Sequence, residues 1–84
     1  NRKKRIELIL KKNLNDWHFD IQDTSHEHKG HNNFDGTNET HFRLTLTNTK
    51  KIEFKKLIIH RKINEILNEE FLSGMHSLEI KIED

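Results

Sequence analysis

Hydrophobic residues recur at helical spacing in two segments of the chain and alternate with polar residues in three others. In residues 2–13, Ile6, Ile9 and Leu10 follow the i, i+3, i+4 spacing of a single buried stripe. The pattern predicts an amphipathic helix whose cationic residues form a solvated face: Arg2, Lys3, Lys4, Arg5, Lys11 and Lys12.

Three segments alternate with the period of a β-strand. Their apolar positions are Trp17, Phe19 and Ile21 in the first, Phe42, Leu44 and Leu46 in the second, and Leu78, Ile80 and Ile82 in the third. His18 falls on the outward side of the first strand. His76 begins the third strand on its apolar side, and taken alone this position predicts a semi-buried histidine whose hydrogen bonds are satisfied.

A second helix is predicted from about Lys55 to Asn68. Its stripe consists of Ile59, Ile63, Ile66 and Leu67, while Glu65, Glu69 and Glu70 are expected to face water. A further helical turn with Phe71 and Leu72 precedes Gly74, which is a natural helix stop.

The element order is therefore α-β-β-α-(α)-β, which predicts an α+β fold. Consecutive strands pair antiparallel, and a strand–helix–strand crossover makes the third strand parallel to the second. With the third strand placed beside the second, the result is a three-stranded mixed sheet with helices packed on one face. A chain of 84 residues predicts one domain, spanning residues 1–84.

Composition excludes several classes of site. The chain has no cysteine, so disulfides, cysteine-ligated zinc fingers and cysteine nucleophiles are impossible. A formal net charge of +1 gives no strong overall attraction to nucleic acid or to anionic membrane. No apolar run approaches the roughly 18 residues of a membrane span, so we expect no membrane association.

Histidine is the one residue type with metal-binding potential that the predicted topology brings together at one edge of the sheet. The polar connection from Asp23 to Thr40 is longer than an ordinary hairpin loop. The end of strand one and the starts of strands two and three share one edge of the sheet, where five histidines are expected: His26, His28, His31, His41 and His76. Neutral imidazole is a common ligand of borderline metals. His41 precedes a core phenylalanine and is expected to have a packing or hydrogen-bonding role.

Enzymatic activity is not predicted. General acid–base or nucleophilic catalysis requires a nucleophile or paired carboxylates within a pocket. The sequence shows neither arrangement, and so thin a domain leaves no room for a pocket.

Four motifs together resemble the BolA family, whose pattern is approximately D-x-S, E-T/S-H-F, R-H-R and V-H-A-L. The matching segments are Asp23-Thr24-Ser25-His26, Glu39-Thr40-His41-Phe42-Arg43, Ile59-His60-Arg61 and Gly74-Met75-His76-Ser77-Leu78. The order and spacing agree over almost the whole chain. Two departures are Ile59 in place of the first arginine, and Met75 and Ser77 on either side of His76.

The resemblance implies a BolA fold, which is similar to the class II KH topology. It implies a partner, a monothiol glutaredoxin carrying a [2Fe–2S] cluster with glutathione, and a cluster that is not held tightly by the isolated domain. The family's histidine at the start of the last strand corresponds to His76. A second ligand would come from the loop, with His28 first and His31 as the runner-up, while His60 and Arg61 are candidates for partner contacts.

The same resemblance implies a monomer that forms a heterodimer with its partner inside the cell, in the cytoplasm or the mitochondrion. Two alternatives stay open. A KH-like fold suggests a nucleic-acid-binding regulator, although the glycines at positions 30, 36 and 74 form no Gly-x-x-Gly loop. The second alternative is an adaptor that binds metal but has no role with a cluster.

Overall fold

The computed structural model describes residues 1–25 and 39–84, and the element order predicted from sequence is confirmed. The elements are α1 (Arg2–Asn13), β1 (His18–Asp23), β2 (His41–Thr47), α2 (Lys56–Ile66), α3 (Asn68–Leu72) and β3 (Ser77–Glu83).

The sheet has the strand order β1-β2-β3, with β2 in the centre. Strand β1 pairs antiparallel with β2, and β3 pairs parallel with β2. One register line crosses all three strands through Ile21, Leu44 and Ile80. The placement of the third strand beside the second, which the sequence argument assumed, is therefore confirmed.

One face of the sheet is apolar and the other is polar. Ile21, Leu44 and Leu46 are buried in one cluster with residues of both long helices, including Ile6 and Ile63. The opposite face carries polar side chains, because side chains alternate along each strand. Its register lines include Gln22–Arg43–Glu79 and Asp20–Thr45–Lys81. The helices thus cover a single face, as predicted.

The two long helices begin differently. Asn1 caps α1, because its side-chain oxygen accepts the Lys4 N–H at 2.9 Å. Helix α2 follows Lys55 and has no side-chain cap. Its position depends instead on burial of the predicted stripe, in which Ile63 and Leu67 are fully buried and Ile59 is nearly so. None of the helices in the described part of the chain is long and apolar enough to cross a membrane.

The end of the sheet opposite His41 is closed by a turn built around Asn48. The Asn48 amide group donates to the Ile52 carbonyl at 2.8 Å and accepts the Ile52 N–H at 3.1 Å. The Asn48 N–H donates to the Glu83 carbonyl, so that the same residue also fastens the end of β3. This turn leads the chain back towards α2.

Two expectations about charged residues are wrong. Glu70, which the helical pattern placed in water, is only 5% exposed, and Arg2, assigned to the solvated face of α1, is 8% exposed. They bury each other: the Arg2 Nη1 to Glu70 Oε1 distance is 2.7 Å. Arg5 stays exposed and donates to the same carboxylate.

Candidate functional site

His41 and His76 meet at one edge of the sheet, as topology predicted. His41 begins β2 and is paired in register with Ser77, which begins β3. The centroids of the two imidazole rings are 5.7 Å apart, and their planes lie edge to face at 79°. The parallel pairing of β2 and β3 is what places the two rings side by side.

The backbone of His76 is held firmly while its ring is exposed. The Thr40 carbonyl accepts both the His76 N–H at 2.7 Å and the Ser77 N–H at 3.2 Å. The preceding residue, Met75, is buried in the core, and its N–H donates to the Glu70 carbonyl. Strand β3 begins at Ser77 and not at His76, so the prediction of a semi-buried His76 is wrong: the side chain lies in solvent.

His41 has the opposite character. It is 8% exposed, and its Nδ1 lies 2.9 Å from the Thr40 hydroxyl oxygen. The predicted packing and hydrogen-bonding role of His41 is confirmed. Of the two imidazoles in the pair, His76 is therefore the accessible one.

The segment between β1 and β2 is fastened at its base by one carboxylate. Asp23 Oδ1 accepts the Ser25 N–H at 2.9 Å, and Asp23 Oδ2 accepts the Glu39 N–H at 3.0 Å. Asp23, which was expected at the start of the loop, is the last residue of β1. Residues 26–38, and with them His26, His28 and His31, lie outside the described residues.

The buried hydroxyl of Ser25 also holds the two ends of this loop together. Ser25 is fully buried, and its Oγ accepts the N–H groups of Thr40 and His41 at 3.0 and 3.1 Å. The Ser25 and Thr40 hydroxyl oxygens are 3.2 Å apart. The D-x-S and E-T-H motifs, by which the sequence resembles the BolA family, are therefore the two halves of one hydrogen-bonded structure beside His76.

Arg2 joins this structure to the turn before β3. Its Nε donates to the Glu39 carbonyl at 2.7 Å, and its Nη1 donates to the Ser73 hydroxyl at 2.9 Å as well as to Glu70. Arg2 therefore connects the residues that precede His41 with those that precede His76. Sequence periodicity gave no signal for this role, because the partners are 37 to 71 positions away.

The close approach of Arg2 also constrains Gly74. Its φ of +133° is a backbone conformation that side chains disfavour, and a Cβ at this position would lie 3.0 Å from Arg2 Nη2. Glycine is thus required at this turn for a reason beyond ending the helix.

The Arg2–Arg5–Glu70 cluster shifts the pKa values of two of its members. The Arg5 hydrogen bond, the largest cause, together with the charges of Arg5 and Arg2, lowers the pKa of Glu70 below its ordinary value, against the opposing effect of burial. The same hydrogen bond to Glu70 raises the pKa of Arg5. The carboxylate is therefore ionised at neutral pH and holds both guanidinium groups.

His60 and Arg61 lie in the middle of α2, His60 half-buried and Arg61 exposed. In residues 1–25 and 39–84, neither is joined to the His41–His76 pair by a hydrogen bond or a ring contact. The structure leaves Arg61 accessible for contact with another molecule.

The described residues hold no group of three or more histidine, aspartate or glutamate side chains that could bind a metal ion on its own. The exposed ring of His76 can offer one nitrogen ligand. Two grooves among the described residues, of about 620 Å³ beside α1 and β1 and about 680 Å³ beside the start of α2, are lined by residues other than His41 and His76.

Comparison with known proteins gives a consistent result. A family model described as BolA-like protein matches residues 10–83. The chain is 33% identical over 79 residues to an uncharacterized protein in the cobS 5' region of a Sinorhizobium species, covering 89% of this chain and 85% of that protein. It is 35% identical over 83 residues to Protein BOLA1, chloroplastic, of Arabidopsis thaliana, covering 95% of this chain but 51% of that protein.

Solved structures show the same similarity in three dimensions. The BolA domain of SufE1 from Arabidopsis thaliana superposes with a TM-score of 0.80 at 31% identity, covering 99% of this chain and 91% of that chain. BolA1 from the same plant gives a TM-score of 0.79 at 32% identity, covering 99% and 90%. The mixed sheet, the motifs around Asp23 and His76 and these matches agree, and the chain belongs to the BolA-like family.

Proposed function

We propose that this chain is a non-enzymatic adaptor that binds a monothiol glutaredoxin and contributes His76 as a ligand to a [2Fe–2S] cluster shared with that partner and glutathione. The observation that supports the proposal most is the contrast within His76. The Thr40 carbonyl holds its backbone by accepting the N–H groups of His76 and Ser77, and its ring is exposed. A ligand to a cluster held between two proteins must be both positioned and accessible.

The donor set fits such a role. Iron–sulfur clusters accept imidazole in place of thiolate, as Rieske centres do. The chain contains no cysteine, so histidine is the ligand it can offer. No described residue hydrogen-bonds to the His76 ring, so none of them competes with a metal for its nitrogens. When bound, the cluster supplies the redox and iron-transfer chemistry, and this chain supplies a neutral nitrogen ligand on a fixed backbone.

The second ligand is proposed to be a loop histidine, His28 or, as the runner-up, His31. Both lie outside the described residues. What supports this assignment is the base of the loop, because Asp23 fastens Ser25 and Glu39 immediately beside His41. The segment that carries these histidines thus leaves and re-enters the fold at the edge where His76 lies.

His60 and Arg61 are proposed as contacts with the partner. The exposed guanidinium of Arg61 offers a planar fork that matches a carboxylate. The complex is proposed to be a one-to-one heterodimer in a reducing compartment, the cytoplasm or the mitochondrion, where the glutathione and reduced thiols that it needs are present.

An anaerobic titration tests the proposal. The domain is added to a monothiol glutaredoxin loaded with a [2Fe–2S] cluster, and visible absorption and circular dichroism are followed. We expect a spectral change that saturates at one equivalent and is lost in His76→Ala. His18→Ala is the matched control, because His18 is also exposed but pairs with Thr47 at the opposite end of the sheet. An unchanged spectrum with His76→Ala would remove the proposed ligand.

The alternatives predict other outcomes in the same samples. Tight zinc binding by the isolated domain, unaffected by glutaredoxin, would favour a simple metal adaptor. Affinity for DNA that falls steeply with salt, in the absence of any complex, would favour a nucleic-acid-binding function.

A further inference from the structure

The two hydroxyls beside His41 form a chain whose direction is fixed by the number of donors and acceptors. A serine hydroxyl has two acceptor lone pairs and one hydrogen. In Ser25 both acceptor positions are used, by the N–H groups of Thr40 and His41. Because Ser25 is fully buried, its hydrogen needs a protein acceptor, and the Thr40 hydroxyl oxygen lies 3.2 Å away.

The same reasoning applies to Thr40. With both Ser25 lone pairs used, we infer that Ser25 is the donor across the 3.2 Å between the two hydroxyl oxygens, which leaves the Thr40 hydrogen for the nearby ring nitrogen, His41 Nδ1, at 2.9 Å. Thr40 is itself 5% exposed, so solvent does not compete for this bond. Nδ1 of His41 is then an acceptor, and the hydrogen of the neutral ring must be on Nε2.

We propose that the Ser25–Thr40 hydroxyl chain fixes His41 as the Nε2–H tautomer and makes it a positioning residue for His76. In this tautomer the lone pair of Nδ1 is occupied by Thr40 and Nε2 carries hydrogen, so His41 is not a metal ligand. Its ring instead packs edge to face against His76 and limits the orientations that the exposed ring adopts. The claim that this orientation of His76 serves a cluster rests on the proposed function. The tautomer of His41 and its packing against His76 do not depend on that function.

Thr40 explains how the Glu39-Thr40-His41 motif can orient the His41 ring and also hold the His76 backbone. Thr40 donates through its side chain to the His41 ring and accepts through its carbonyl from the His76 and Ser77 N–H groups. One residue thus holds the ring of one histidine and the backbone of the other. The hydroxyl chain begins at Ser25, directly before residues 26–38, so Ser25, the His41 ring and the His76 backbone belong to one hydrogen-bonded unit.

The tautomer is measured in the apo domain, without glutaredoxin. A long-range ¹H–¹⁵N correlation spectrum of ¹⁵N-histidine-labelled protein, recorded at about pH 8 where an ordinary imidazole is neutral, distinguishes protonated from unprotonated ring nitrogens. Exposed His18 is the internal reference for an unconstrained ring. We expect His41 to be more completely Nε2–H than His18. An Nδ1–H signal for His41 would reverse the hydroxyl chain and overturn the proposal.

Two variants of Thr40 distinguish the effect of its hydroxyl group from the effect of its side-chain shape. Thr40→Val keeps the branched shape and removes the donor, and we expect the His41 tautomer signal to move towards the His18 reference. Thr40→Ser keeps the hydroxyl and is expected to retain the wild-type signal. Equal His41 spectra in all three proteins would show that the hydroxyl has no such role. The wild-type spectrum alone decides the tautomer if Thr40→Val does not fold.

The positioning role has a separate readout. Three-bond couplings of His76 report whether its χ1 angle occupies one rotamer or several. We expect one dominant rotamer in the wild type and averaging in His41→Ala, with no change in the matched variant His18→Ala. An averaged His76 in the wild type would refute positioning by His41. Failure of the glutaredoxin titration, by contrast, would leave these apo measurements unaffected.

Discussion

At the scale of single residues, the site depends on a few polar groups whose partners are far away in sequence. Glu70 is the clearest case. Its carboxylate forms ion pairs with both Arg2 and Arg5, and its side chain is 7% exposed. Removing one member of a buried ion pair leaves the other charge desolvated and unpaired, which costs more than the pair itself contributes.

Glu70→Gln is therefore expected to lower the free energy of unfolding by roughly 3 kcal/mol, a large fraction of the stability of a small domain. Urea denaturation measures the difference. Glu69→Gln is the matched control, since Glu69 is exposed and adjacent, and it should change stability by less than about 0.5 kcal/mol. Equal effects of the two substitutions would contradict the assigned role of Glu70.

The lowered pKa of Glu70 also predicts a pH dependence. Because the folded-state pKa lies below the ordinary value of 4.5, the unfolded state binds more protons in that range. The stabilisation by Glu70 is complete above pH 4.5 and is lost as the pH falls through the folded-state pKa. The stability of the wild type should consequently decrease more steeply on acidification than that of Glu70→Gln, as measured by denaturation at a series of pH values. Parallel curves would argue against this linkage.

Asp23 closes the base of the loop with both carboxylate oxygens. In Asp23→Asn, one acceptor becomes an amide donor, so the N–H of Ser25 or Glu39 loses its partner, at a cost of about 1–3 kcal/mol. We expect faster hydrogen exchange at Glu39 and Thr40. Asp20→Asn, on the exposed face of the same strand, is the control and should leave exchange at these amides unchanged.

At the scale of secondary-structure elements, α2 is held by its apolar stripe. It lacks a side-chain cap, and its buried face rests on Ile59 and Ile63. Ile63→Ala should cost about 2–5 kcal/mol, because a fully buried side chain leaves a cavity. Leu57→Ala on the same helix should cost far less, since Leu57 is 61% exposed. Comparable losses in urea denaturation would show that α2 does not pack as described.

The elements also show what a local pattern can predict. The alternation of β2 and the spacing of Ile59, Ile63 and Leu67 report directly on which face is buried, and these predictions are confirmed. Glu70 looked like a solvent-facing helix residue because its partner Arg2 is 68 positions away. His76 was expected to be semi-buried because it continues the period of β3, but the strand begins one residue later, at Ser77.

At the scale of the whole molecule, topology gives the strongest prediction of the site. An antiparallel β1–β2 pair followed by a parallel β3 brings the starts of β2 and β3 to one edge, and His41 and His76 meet there. The sequence could not reveal the network of Asp23, Ser25 and Arg2 that supports this edge, because hydrogen-bond partners follow from the tertiary structure. The family motifs marked most of these residues without giving their physical role.

The central claim is that His76 is a ligand of a cluster shared with a glutaredoxin. Pulsed electron paramagnetic resonance of the reduced complex tests it most directly, with ¹⁵N-histidine present only in this chain. The account predicts a strong ¹⁵N coupling to the cluster that is lost or reduced in His76→Ala and preserved in His18→Ala. A cluster with no ¹⁵N coupling from this chain, or with the same coupling in His76→Ala, would contradict it.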